Sequence, residues 1–130
     1  MAENPDPSIV TPVFVRSDAR GSFVEAINRG PWESLTHGTL QAGAVMGQHY
    51  HETTVVFFYL DEGEAEVVLE DVRSGDRRRL TLAARQGVML RPWIAHRIRA
   101  RRDSRFLILK SRAFDPNAPD THPHVVEDDA

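Results

Sequence analysis

Three histidines carry the chemistry this sequence offers. His49 and His51 stand one residue apart, and in extended backbone alternate side chains share a face, so both rings project to the same side of a sheet. His96 lies in a second segment, where a short apolar stretch from Gly87 runs through a turn at Pro92 into the apolar-alternating stretch that begins at Ile94. Imidazoles meeting from two strands can share a metal ion, or one of them can act as a base near neutral pH.

The elements around them read as strands. Gly43 precedes the histidine pair, and the run Val55 to Leu60 ends at the turn Asp61-Glu62-Gly63. That run is apolar on both faces, which predicts burial between an interior and an outer cover, with intersubunit packing as the expected cover. Ile9 to Val15, with Pro12 inside it, reads as an edge strand, and Asp18 to Ile27 as a glycine turn feeding another strand. A connection through Gly30-Pro31-Trp32 leads to a strand near His37 to Val45; His37 has no partner at ligand spacing and reads as structural or solvent-facing. Glu64 to Val72 and Arg77 to Ala84 form a hairpin around Ser74-Gly75, with Arg77-Arg78-Arg79 as a solvated edge. Ile94 to Arg101 alternates His96, Ile98 and Ala100 with Arg97, Arg99 and Arg101, so those arginines point away from the site, and Phe106 to Lys110 closes the sheet. No helical period persists beyond one turn, and hairpin signals recur every 8 to 12 residues, as in an all-β sandwich or barrel.

At 130 residues the chain makes one domain with a single core. A flexible lead is expected over residues 1–8, the domain over 9–121 and an acidic tail over 122–130. His122 and His124 repeat the His-x-His spacing, but Pro123 separates them and a charged tail follows, so they are set aside as ligands. The formal charge of −3 argues against a nucleic-acid binder. Lys110 is the only lysine among 16 basic residues, a bias that codon usage in a GC-rich genome or selection for bidentate anion contacts would both produce. Without cysteine there is neither a disulfide nor a thiolate metal site. The start has no signal-peptide pattern, and no run approaches the roughly 18 apolar residues of a membrane span. A cytoplasmic location is expected.

The two histidine segments resemble the two motifs of the cupin superfamily, G-x5-H-x-H-x3,4-E-x6-G and G-x5-P-x-G-x2-H-x3-N. Gly43, His49, His51 and Gly63 match the first, but Val56 fills the glutamate position. Gly87, Pro92 and His96 match the second, with Trp93 for its glycine and Ala100 for its asparagine. This implies a double-stranded β-helix, or jelly roll. The stretch Asp18-Ala-Arg20-Gly21-Ser-Phe23-Val-Glu25 is also similar to the nucleotide-binding stretch of the cupin dTDP-4-keto-6-deoxyhexose 3,5-epimerases, which implies substrate-binding roles for Arg20, Phe23 and Glu25. Arginine can fork onto phosphate, phenylalanine can stack on a base, and glutamate can accept from a ring N–H. Gly47-Gln48-His49-Tyr50-His51 and the segment Phe114 to Thr121 resemble the C-terminal cupin domain of the bifunctional UDP-sugar epimerase/reductases of capsule synthesis. These likenesses imply a homodimer.

An epimerase acting beside a ketone needs a base and a group that stabilises charge developing on oxygen. The resemblance makes His49 the base, with Tyr50 or Tyr59 as acid, or else makes His49, His51 and His96 ligands of a divalent transition metal, zinc first, with iron or nickel as alternatives. The leading reading is a sugar-nucleotide epimerase or isomerase acting on a nucleotide sugar. A three-histidine dioxygenase, isomerase or lyase and a non-catalytic ligand-binding cupin are the alternatives.

Overall fold

The computed structural model describes residues 6–127, and among these there are twelve strands and no helix, hence none long and apolar enough to cross a membrane. The strands are β1 Ile9–Val10, β2 Phe14–Asp18, β3 Gly21–Glu25, β4 Ser34–Leu40, β5 Val45–Tyr50, β6 Val56–Glu62, β7 Glu64–Asp71, β8 Arg77–Ala83, β9 Gln86–Leu90, β10 Ile94–Ala100, β11 Ser104–Lys110 and β12 His122–Pro123. Two five-stranded antiparallel sheets form, in the orders β1-β9-β6-β11-β4 and β12-β5-β10-β7-β8, and β2 pairs with β3 alone. The two sheets face each other as a jelly roll.

Alternation along β6 decides what lies inside. Val56, Phe58 and Leu60 point between the sheets and meet Val88 and Leu90 of β9, Val67 and Leu69 of β7, Leu82 of β8 and Ile98 of β10. Phe57 and Tyr59 point the opposite way, onto the outer face of the first sheet, with Met89. The expected cover for that face is largely internal: Val24, Ala26, Ile27 and Trp32 pack over it, with the Trp32 and Phe57 rings 6.4 Å apart. Gly87 makes the crossing possible, since a Cβ there would lie 2.5 Å from the Phe57 ring and 2.9 Å from the Phe58 carbonyl oxygen.

Two expectations change. The strand expected from Ile9 to Val15 is broken at Thr11-Pro12, where proline has no N–H to continue a ladder; β1 joins the large sheet and β2 turns off into the hairpin. The flexible lead lies partly outside the described residues, but Asp6 accepts from the Ser8 N–H at 2.7 Å and pairs with Arg78 at 2.7 Å. The arginine edge of β8 is solvated as expected: β8 is the outermost strand of its sheet, Arg78 and Arg79 are exposed, and Arg79 meets Glu66 across the ladder at 2.9 Å.

The boundary at residue 121 also moves, because the chain stays packed to Glu127. β12 pairs with β5, and Val126, 1% exposed, seals Val68 and Ala95 on the outer face of the second sheet. Val126→Ala removes two buried methyl groups and should lower unfolding stability by about 1–2 kcal/mol in urea titration. Val125→Ala, at a side chain 66% exposed, should stay within about 0.5 kcal/mol of the parent.

Candidate functional site

The imidazoles meet through a bulge. His49 on β5 faces His96 on β10, but the next partner of β10, Arg97, faces Gly47, so Gln48 is the extra residue. The bulge reverses the phase of β5, which lets Met46 and His49 both point inward although three positions separate them. Gln48 takes φ 65° and Gly47 φ 99°, and the Gln48 side chain leaves outward, its Oε1 accepting from the Val126 N–H at 2.7 Å. A Cβ on Gly47 would stand 2.6 Å from the His96 carbonyl oxygen and 2.8 Å from its Cδ2, so only glycine lets the two strands close.

The His49 ring centroid lies 4.6 Å from that of His96 and 5.1 Å from that of His51; His51 and His96 are 6.4 Å apart. His49 Nδ1 donates to the Gly47 carbonyl at 3.0 Å and His51 Nδ1 donates to the Asp120 carbonyl at 2.6 Å, an assignment that leaves the lone pair on Nε2 of each. Burial holds both rings below their ordinary pKa, with the charge of the neighbouring His51 adding to the effect at His49 and Lys110 opposing protonation of both. His96, 4% exposed, is pushed down to about 3 by burial first and then by His49, His51 and Lys110. All three are therefore neutral at pH 7.

Beside His51 a cavity of about 300 Å³ opens between the barrel mouth and the loop Ala113 to Thr121. Thr54, Lys110, Arg112 and Asp120 line it. Asp120 fastens the loop: its carboxylate accepts from the N–H groups of Glu52, Thr53 and Thr54 and from both threonine hydroxyls at 2.7–2.9 Å. Partial burial raises the Asp120 pKa, but these donors outweigh it and hold the carboxyl well below the usual range.

Of the other residues singled out in the sequence, Tyr59 does not share this cavity. It lies on the outer face with Phe57, where burial and Asp61 raise its pKa, and strand alternation turns it from the imidazoles. Tyr50 also faces outward, stacked on Trp93 at 5.6 Å and on His122 at 5.1 Å. Arg20, Phe23 and Glu25 sit on the exposed β2–β3 hairpin, whose Val24 packs against the outer face of the first sheet, so within one chain they are on the far side of that sheet from the imidazoles. Arg20 grips Asp18 at 2.7 Å and lies over the Phe23 ring at 5.0 Å. His122 joins the cavity wall and His124 bonds Glu70 at 2.7 Å; neither reaches the barrel histidines' cluster. Lys110 and Asp120, absent from the sequence-based candidates, are the additional residues at the mouth.

The donor set fits a divalent cation poorly. Val56, at the glutamate position, has no lone pair, and Lys110 brings positive charge to the same end of the barrel. Among the described residues, the trio that brings its ligand atoms within 4.8 Å of one another is Glu52, Asp120 and His122, not the three barrel histidines. Within that trio the Asp120 carboxylate is already committed to five donors.

Two facing antiparallel sheets with inward histidines on β5 and β10 define a cupin barrel. The chain belongs to the polysaccharide biosynthesis C-terminal domain family, whose model matches residues 16–122. Comparison with curated sequences gives no match. Among solved structures, the chain resembles the capsular polysaccharide assembling protein CapF of Staphylococcus aureus at 24% identity and a TM-score of 0.68, over 88% of this chain and 33% of that one. It thus spans about a third of that relative's length. The dTDP-4-dehydrorhamnose 3,5-epimerase of Sulfolobus tokodaii aligns with a TM-score of 0.76 at 20% identity, over 93% of this chain and 79% of that one. NovW, the 4-keto-6-deoxy sugar epimerase from the novobiocin cluster of Streptomyces spheroides, aligns at 0.74 and 20%, over 90% and 69%. At these identities the likeness shows the shared fold.

The buried imidazoles give stability a pH signature. Because the folded pKa of His96 lies below its ordinary 6.5, protonation favours the unfolded chain; the contribution is complete above about 6.5 and is lost as pH falls toward 3. Denaturant titrations between pH 7.5 and 4.5 should show stability falling by up to about 1.4 kcal/mol per pH unit from this one group. His96→Gln should flatten that limb of the curve.

Proposed function

We propose that this chain is a sugar-nucleotide epimerase or isomerase that removes and returns a proton on a carbon next to a ketone, in the making of a polysaccharide or a secondary metabolite. The observation that carries the reading is the state of His49: neutral at pH 7, fixed by the Gly47 carbonyl so that Nε2 keeps its lone pair, and directed into the barrel next to His51, which lines a cavity with Lys110 and Arg112. A general base must be unprotonated at the working pH and hold a fixed tautomer, and this ring has both. The His51 ring, fixed in the same sense, can take up the proton in turn. Solved relatives of the same fold whose names state sugar epimerase activity support the reading.

Arg20, Phe23 and Glu25 enter this scheme through a second copy. Phe14, Val15 and Phe23 are 52%, 46% and 40% exposed on a two-stranded ribbon, a poor state for apolar side chains and a natural one for a surface closed by a partner. In a homodimer the hairpin of one protomer can serve the barrel mouth of the other, with arginine on phosphate and phenylalanine on the base. Sedimentation velocity should give a dimer, and Phe14→Asp with Phe23→Asp should shift it to monomer while the monomer stays folded by circular dichroism.

The reaction is tested by incubating the protein with UDP- and dTDP-linked 4-keto sugars in deuterated water and following loss of the α-proton by NMR. Exchange should appear with at least one of them and fall about 10²–10⁴-fold in His49→Ala. Absence of exchange with every nucleotide-linked keto sugar would overturn the reading.

A further inference from the structure

Lys110 is the sole lysine of the chain, and 15 of the 16 basic residues are arginine. It stands on β11 opposite Val56 of β6, in the same phase as Ile108 and Phe106, which point into the core between the sheets. Its side chain therefore emerges at the mouth of the barrel, where it lines the cavity with His51. Among the described residues no carboxylate lies within ion-pair distance of it, although eight arginines have one. The three acidic residues on the cavity wall are engaged elsewhere: Asp120 with the turn at Glu52 to Thr54, Asp115 with the Asn117 N–H at 2.9 Å, and Glu52 beside the His122 ring at 3.6 Å. A lysine across the ladder from a valine and on one cavity wall with the neutral His51 ring has no counter-charge within ion-pair distance, an arrangement suited to an anion that arrives with a ligand.

We propose that Lys110 holds the oxygen on which negative charge develops, filling the role that a metal ion plays in a cupin with the full ligand set. The inference rests on the epimerase reading above. In the step, His49 Nε2 takes the proton from the carbon beside the ketone. The C–H electron pair becomes the new carbon–carbon π bond, and the carbonyl π pair moves onto oxygen. The ammonium accepts that oxyanion in a charge-assisted hydrogen bond. Reprotonation on the opposite face from solvent returns the π pair to the carbonyl, so no electrons enter or leave. The loss at residue 56 and the lysine at residue 110 then belong together: a carboxylate at 56 would pair with the ammonium and neutralise it, whereas valine leaves its charge for the substrate. The positive field that disfavours protonation of His49 and His51 is a further consequence of the same charge.

Lys110→Met and Lys110→Arg test this with the protein as purified, after thermal unfolding has shown that each variant folds. For a keto sugar that the parent exchanges, Lys110→Met should lower the maximal exchange rate about 10²–10³-fold, the loss typical of removing one oxyanion partner. The Michaelis constant, and the affinity for the free nucleoside diphosphate by calorimetry, should stay within about threefold. Lys110→Arg, which keeps the charge, should recover part of the rate. A parent-like rate in Lys110→Met overturns the proposal and leaves the epimerase reading standing. Loss of nucleoside diphosphate affinity in parallel with rate overturns it in favour of a phosphate contact. Abolition of the parent's exchange by a chelator, with rescue by zinc, overturns it in favour of a metal. Absence of exchange in the parent for every keto sugar overturns both readings together.

Discussion

Everything inside this barrel depends on how closely β5 approaches β10 at one residue. Gly47 has no side chain, and the space a methyl group would need is filled by the carbonyl and ring of His96. That contact makes room for the bulge at Gln48, and the bulge turns His49 inward beside His96. The carbonyl of Gly47 itself receives the His49 Nδ1 proton and so determines which nitrogen keeps its lone pair. One glycine thereby fixes strand distance, ring direction and tautomer together. Gly43 and Gly75 also have positive φ, yet a Cβ at either would meet nothing within 4 Å, so they serve only local turns.

The first sheet is apolar on both faces, whereas the second carries a small apolar patch on an otherwise charged outer face, and the chain covers both apolar surfaces with its own segments. Residues 24–32 close the first sheet over Phe57, Tyr59 and Met89, and Val126 closes the second over Val68 and Ala95. Antiparallel sheets commonly leave one face to water; these do so only in part, which raises the buried apolar area available to a chain of 130 residues. What remains open is the β2–β3 hairpin, whose aromatic residues are packed by arginines rather than by the core, with Arg16 and Arg20 each 5.0 Å from the Phe23 ring.

Much of the architecture was legible because it follows from period. Alternation in Glu64 to Asp71 and in Ile94 to Ala100 identifies the inward residues, and the same rule brings His96 inside. Period also exposes an error: Tyr59 shares parity with Phe57, and a strand apolar on both faces offers no sequence signal for which parity is interior. The register with β9 and β11 decides it. Lys110 and Asp120 were illegible for another reason. Each acts alone, 61 and 71 residues beyond His49, and no spacing joins a residue on β11 or in the C-terminal loop to a motif on β5 until the sheets are assembled. The C-terminal boundary was misjudged because acidic composition near the end resembles a solvated tail, whereas its apolar residue, Val126, faces a complementary surface.

Asp120 makes two attachments with different parts of itself. Its carboxylate clasps the backbone at Glu52 to Thr54, and its carbonyl holds the proton of His51. One residue thus sets both where the loop sits on the rim and which nitrogen of the His51 ring keeps its lone pair.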